Sequence, residues 1–201
     1  MKKNFGIIGN PIKHSLSPVL HNYWFKKYNI DADYSIIEGT DKMLTETIEK
    51  IKRGNFSGIN VTLPFKQKII HYIDKVVNDA ELTGSVNTLF LDNDKKVIGE
   101  NTDVFGLQAA YLKEIVNSSN KKVLIIGAGG VSPSVILSIQ KTGIRNISIT
   151  NRTNEKCIFL KKKFSFLNII SWTDLKSEIK NFDIIINATS LGLKNGDDFN
   201  F

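Results

Sequence analysis

The chain has 201 residues, of which 41% are hydrophobic and 23% charged, and a net charge of +7. This length allows one or two domains of ordinary soluble composition. It holds no apolar run near the ~20 residues that cross a bilayer. Nucleic acid is excluded as the expected partner, since only Arg53, Arg145 and Arg152 among 27 basic residues are arginine and the lysines are spread along the chain.

Strand and helix signals alternate from end to end. Phe5 to Gly9 reads as a short apolar strand, entered directly after MKKN with no signal-peptide core. Pro18 to Tyr28 reads as a helix on which Trp24 and Phe25 are core residues. Tyr34 to Glu38 is a second strand, and Lys42 to Arg53 a helix that stops at Gly54. Gly58 to Leu63 is a third strand, with a helical stretch from Lys66 to Ile73. Val86 to Leu91 and Lys96 to Gly99 form an antiparallel pair around the turn Asp92-Asn93-Asp94. Val104 to Val116 is a long helix and Asn117 to Asn120 an inter-domain turn. Further strands fall at Val123–Ile126, Ile147–Thr150, Leu167–Ser171 and Asp183–Asn187. This alternation implies an α/β protein of two domains, 1–103 and 104–201, each with a mainly parallel sheet. Cys157 is the only cysteine, which precludes an internal disulfide and suits a reducing, cytoplasmic setting.

The run VLIIGAGG at 123–130 is a strand followed by a glycine-rich turn. A polar helical stretch and the strand NISIT then follow. Such a unit holds a dinucleotide pyrophosphate on free backbone N–H groups at a helix N-terminus. The second strand ends on Asn151, Arg152 and Thr153, and no Asp or Glu occurs between Gly130 and Glu155. A carboxylate there would accept from a ribose 2′-hydroxyl and repel a 2′-phosphate. Arg152 and Lys156 stand in its place, so the expected cofactor is NADP rather than NAD. Pro133 falls in the first turn of the following helix, where its missing N–H breaks no helix bond.

In open α/β sheets, ligands sit beyond the carboxyl ends of strands. After the first strand come Ser15, Ser17 and Pro18. Ser17 reads as an N-cap with Pro18 at the first helical position, or, with Ser15, as a receptor for a small carboxylate. After the third strand come Asn60, Thr62, Pro64 and Lys66; Lys66 is either a solvated lysine or part of a site. Asn87 and Thr88 lie in GSVNTL, and Asn101, Thr102 and Asp103 in GENTD. Asp103 reads as a helix cap or as the carboxylate partner of Lys66. Asn187, Thr189 and Ser190 either line a cofactor site or end the last strand. His14, His21 and His71 lack metal spacing, so no metal is expected.

Seven motifs in order, GNPIKHSLSP, NVTLPFK, GSVNTL, ENTD, GAGG, NRT and NATSLG, resemble shikimate dehydrogenase across essentially the whole chain. The resemblance implies reduction of 3-dehydroshikimate to shikimate with NADPH, in the shikimate pathway of aromatic amino-acid biosynthesis, by a monomer or homodimer. It implies a substrate domain followed by a Rossmann-like NADP domain that is C-terminally incomplete, because the family's chain continues beyond residue 201. Ser15 and Ser17 would bind the substrate carboxylate; Asn60, Thr62, Asn87 and Asp103 would hold ring hydroxyls; Lys66 and Asp103 would form the catalytic pair. Gly127, Ala128, Gly129 and Gly130 would cradle the pyrophosphate, with Asn151, Arg152, Thr153 and Lys156 at the adenosine phosphate and Thr189 lining the cofactor site. An ammonium at Lys66 suits a ketone that becomes an alkoxide as hydride arrives. The alternatives are a quinate/shikimate dehydrogenase of broader range and a fragment that binds nucleotide without turnover.

Overall fold

The computed structural model of the chain describes residues 2–112 and 120–192. Packing divides the chain into two units, Met1–Thr102 and Asp103–Phe201. In chain order the first contains β1 (Lys3–Gly9), α1 (Ser17–Lys27), β2 (Ala32–Glu38), α2 (Asp41–Lys52), β3 (Gly58–Val61), β4 (Lys75–Val76), α3 (Asp79–Thr83), β5 (Thr88–Leu91) and β6 (Val97–Glu100). They form one six-stranded sheet in the order β2-β1-β3-β5-β6-β4. β1 runs parallel to β2 and β3, β5 antiparallel to β3 and β6, and β4 parallel to β6.

Alternation along β1 supplies both faces of this sheet. Ile8 packs with Leu44, Ile48 and Ile51 of α2, and Ile7 with Ile12 and Tyr34 on the other side. The buried residues of α2 (Leu44, Thr47, Ile48, Ile51) recur every three or four positions, which makes one apolar stripe. Its ends are closed by local chemistry. Thr40 Oγ1 accepts the Met43 N–H at 3.2 Å. Gly54, at φ 76°, donates to the Ile51 carbonyl, while Asn55 donates to Lys50. That pairing is a Schellman close, and a positive φ at that position is open to glycine at least cost.

Three expectations for this unit change. Ser17 is not the N-cap of α1: Leu16 is, and the helix begins one residue earlier with Pro18 still in its first turn. The Ser17 N–H instead finds Ser15 Oγ at 3.3 Å. Trp24 is 42% exposed rather than core, because α1 lays His21, Asn22 and Phe25 against the sheet and turns Trp24 outward. The stretch after Lys66 is a short 3-10 segment, Lys68–Tyr72, rather than a longer helix. β4 and α3 are additional elements, too short at two and five residues to show a period.

The second unit opens with α4 (Asp103–Leu107), which widens into π-type turns over Gln108–Leu112. Residues 113–116 of the expected helix and 117–119 of the expected turn lie outside the described residues. Then come β7 (Lys122–Ile126), α5 (Ser132–Lys141), β8 (Asn146–Thr150), α6 (Asn154–Lys163), β9 (Asn168–Ile169), α7 (Leu175–Glu178) and β10 (Ile184–Asn187). Among the described residues the strands form a wholly parallel sheet in the order β10-β7-β8-β9. β7 is buried on both faces. Val123 and Ile125 pack with Ile136, Ile139 and Leu160, and Leu124 and Ile126 with Leu175. That double burial explains its unbroken apolar run.

The helix after the glycine turn was expected to be polar, yet every residue of α5 from Ser132 to Ile139 is buried. Its serines are reconciled with the core by bonding the backbone. Ser132 Oγ donates to the Gly127 carbonyl at 3.0 Å, and the single hydrogen of Ser138 Oγ is directed to the Ser134 carbonyl at 2.6 Å, with the Val104 carbonyl 3.1 Å away. Among the described residues no helix is long and apolar enough to cross a membrane.

Candidate active site

In the first unit, reversal of β5 gathers polar residues at one rim of the sheet. β1, β3 and β6 end there, and β5 begins there. Asn60 of β3 sits opposite Thr88 of β5, and Thr88 opposite Glu100 of β6. The Val61 N–H donates to the Asn87 carbonyl at 2.8 Å, and the Val86 N–H to the Lys66 carbonyl at 2.8 Å. The ladder past Val61 continues through the Thr62 N–H to Ile8 O at 2.9 Å, which holds Thr62 beside the loop that follows β1. Thus Ser15, Ser17, Asn60, Thr62, Lys66 and Asn87, expected from the sequence, all belong to this unit, while Asp103 is the first residue of α4 in the other.

Side-chain hydrogen bonds run along the rim in one direction. Asn60 Nδ2 lies 3.2 Å from the Asn87 carbonyl and 3.2 Å from Thr88 Oγ1. A carbonyl only accepts, so the amide atom facing it is the nitrogen. Asn60 Oδ1 therefore accepts, and the Tyr34 hydroxyl donates to it at 2.7 Å. The Ser17 side chain bonds the same phenol. Onward, Thr88 Oγ1 donates to Asn87 Oδ1 at 3.0 Å, and Asn87 Nδ2 to Thr102 Oγ1 at 3.0 Å. Asn87 Oδ1 also takes the Thr102 N–H at 2.9 Å. Beneath this layer, buried Asn101 donates to the Ser85 carbonyl at 2.8 Å and to Thr83 Oγ1 at 3.3 Å. Each of these bonds pairs a donor with an aimed acceptor, which is what a buried polar cluster requires.

Tyr34 was read from the sequence only as a strand residue, yet it stands in the middle of this chain of bonds. It is 4% exposed. His21 stacks on its ring at 4.3 Å and 4°. Asn22 clasps its backbone, accepting the Tyr34 N–H and donating to the Tyr34 carbonyl, both at 2.9 Å. Burial raises its hydroxyl to about 12, against a smaller opposing effect of the Ser17 bond. The same burial lowers the His21 imidazole. Tyr34 leaves no sequence signal of its own, because a tyrosine at an inward position of a strand is ordinary core.

In the second unit the glycine turn connects β7 to α5. Gly127 has φ 113°, and a Cβ there would lie 2.7 Å from Thr189 Cγ2 and 2.9 Å from the Ala188 carbonyl oxygen. Thr189 is itself fixed, its hydroxyl donating to Asn187 Oδ1 at 2.7 Å. Asn151 joins the turn to the end of β8: its Oδ1 accepts the Ala128 N–H at 3.2 Å and its Nδ2 donates to the Thr153 carbonyl at 3.0 Å. Arg152, Thr153 and Lys156 are exposed at that strand end, and Gly129 is exposed at the turn. Thr150 is fully buried in the same strand end, and its Oγ1 has no hydrogen-bond partner. Among the described residues no group of His, Cys, Asp and Glu is arranged to hold a metal.

Comparison with known proteins adds three findings. A family model described as shikimate dehydrogenase substrate binding domain matches residues 7–89, and one described as shikimate / quinate 5-dehydrogenase matches residues 110–193. Shikimate dehydrogenase (NADP(+)) of Pelagibacter ubique is 47% identical over 200 residues, which is 100% of this chain and 74% of that protein. The corresponding protein of Nitrosopumilus maritimus is 37% identical over 97% of the chain and 72% of its own length. Among solved structures, shikimate dehydrogenase from Aquifex aeolicus superposes with a TM-score of 0.91 at 37% identity, over 100% of this chain and 73% of that one. The Thermus thermophilus enzyme in complex with NADP(H) and shikimate gives 0.83 at 27% identity, over 95% of this chain and 70% of that one.

Proposed function

The chain belongs to the shikimate dehydrogenase family, and we propose that it interconverts 3-dehydroshikimate and shikimate with NADP as cofactor, a step in making aromatic amino acids. The observation that carries this reading is the whole-chain match to an NADP-dependent relative at 47% identity. The rim residues from Ser15 to Thr88 and the glycine turn of the second unit fall within the two matched segments.

The roles of individual residues are those that the family resemblance implies. The first unit would serve as the substrate domain and the second, which begins at Asp103, as the cofactor domain. Ser15 and Ser17, beside the start of α1, receive the substrate carboxylate. Asn60, Thr62, Asn87 and Asp103 hold ring hydroxyls. The second unit suits an NADP. Gly127, Ala128, Gly129 and Gly130, just ahead of the N-terminus of α5, would hold its pyrophosphate on backbone N–H groups. Arg152 and Lys156 offer cations to a 2′-phosphate where an NAD site would carry an acid. Thr153, Asn151 and Thr189 complete the lining.

When bound, NADPH supplies a hydride to the ketone carbon. As the ketone oxygen gains charge, the Lys66 ammonium stabilises it and gives up a proton, so that a hydroxyl results. Asp103 would be the carboxylate partner of Lys66, as the family resemblance implies. Oxidation of shikimate runs the same proton in reverse, with neutral Lys66 taking it from the hydroxyl.

Oxidation of NADPH on addition of 3-dehydroshikimate, followed by absorbance, tests the proposal. Quinate in the reverse assay separates a shikimate enzyme from one of broader range, a reading favoured by the shikimate / quinate family match over residues 110–193. Binding of NADP without turnover of either substrate would leave only a nucleotide-binding protein. The working compartment is the cytoplasm.

A further inference from the structure

The bonds along the rim fix more than its shape. Both hydrogens of Asn60 Nδ2 point inward, one to the Asn87 carbonyl and one to Thr88 Oγ1. Asn60 Oδ1 takes one hydrogen from Tyr34. An amide oxygen has two lone pairs, so what Asn60 retains for a ligand is a single acceptor direction. Were the amide turned over, it would offer a donor instead and place its oxygen against the Asn87 carbonyl. The Tyr34 hydroxyl opposes that flip, since its one hydrogen is directed to Asn60 Oδ1 at 2.7 Å and would then face the amide nitrogen.

We propose that Tyr34 is a positioning residue for substrate recognition, locking Asn60 as an acceptor that admits a hydroxyl at its ring position and disfavours a carbonyl or carboxylate oxygen there. The inference rests on the assignment of Asn60 to a ring hydroxyl made above. Tyr34 touches no ligand in this reading; it acts through Asn60. Its own position is held independently, by the His21 ring and the two Asn22 bonds. Its buried phenol stays protonated throughout the physiological range, so the donor is constant.

The test is Tyr34→Phe, which keeps the ring against His21 and removes only the hydroxyl. Titration calorimetry with shikimate and with NADP reads both sites in the whole chain. The expected result is about tenfold weaker shikimate binding with unchanged NADP binding, the loss typical of one misdirected buried hydrogen bond. In an Asn60→Ala background the same substitution should cost nothing further, because the residue it orients is gone. Unchanged shikimate binding, additive losses in the double variant, or equal loss at both sites would overturn the proposal. Wild-type protein gives a second reading independent of the variant's folding. Its two Asn60 side-chain NH signals should exchange slowly with water, with and without shikimate; free-amide exchange would overturn the inference equally. Wild-type protein that does not bind shikimate at all would instead refute the substrate assignment itself.

Discussion

Gly127 lies so close to Thr189 that a methyl group on its α-carbon would come within 2.7 Å of the threonine Cγ2. The neighbouring Ala188 cannot yield easily, because its N–H is bonded to the Ile126 carbonyl at 2.8 Å. Gly127→Ala therefore meets both a clash and a backbone angle of 113° that side chains avoid. It should lower stability by about 1–3 kcal/mol and weaken NADP binding at least tenfold, by our judgement. Shikimate binding in the other unit should persist. Thermal melts and paired titrations check this, and a fully stable variant with normal NADP affinity would contradict it.

Lys66→Ala should reduce turnover about 10²-fold or more, the usual contribution of a positioned acid–base group. The KM for NADPH should hardly move. Initial rates of 3-dehydroshikimate reduction decide the matter; undiminished turnover removes Lys66 from the mechanism.

Arg152→Asp places an acid at the end of β8, where a 2′-phosphate is expected to bind. Affinity for NADP should fall about tenfold or more, the loss of a charge-assisted contact, while that for NAD holds or improves. Wild-type affinity for NADP should also weaken with added salt, as it does for contacts between exposed charges. An unaltered ratio of the two affinities would place the phosphate elsewhere.

Stability should decline in alkali with a definable signature. The Tyr34 hydroxyl ionises near pH 10 in the unfolded chain and at about 12 in the folded one. Between those values the unfolded state releases a proton that the folded state keeps. The stabilisation is thus complete below pH 10 and lost as pH rises toward 12, by about 2–3 kcal/mol. Cys157, pushed up to about 11 by burial from 9.0, adds a decline of the same sign between pH 9 and 11. Tyr34→Phe should flatten the fall in melting temperature above pH 10, and Cys157→Ala the fall below 11. Identical alkaline curves for wild type and both variants would count against this assignment.

The strands with unbroken or alternating apolar runs, such as IIG at 7–9 and VLII at 123–126, were legible because burial on a sheet face writes itself into the sequence. Motif chemistry likewise exposed the polar rim from Ser15 to Asn87. Other features were hidden for physical reasons. The buried helix after the glycine turn looked polar because Ser132 and Ser138 satisfy themselves on backbone carbonyls inside the core. Leu16 as the cap of α1 has no side-chain signature. Lys75–Val76 is too short to show alternation. Tyr34 escaped because its function is exercised by one oxygen at the end of a ring that packs like any other aromatic. The direction of each amide in the rim follows from three-dimensional pairing, on which no spacing rule bears.

The reversal of a single strand also separates what must be kept from what can be altered. β5 and β6 meet the polar cluster at one end and are joined at the other by Asp92 to Lys96, where Asp92 Oδ1 accepts the N–H groups of Asp94 and Lys96. Asp92 stands four residues along from Thr88 of the cluster, roughly 13 Å. A fluorophore or an epitope grafted at Asn93 would report on the folded protein from outside its working parts, which makes this hairpin tip the natural handle for tethering the enzyme or watching it unfold.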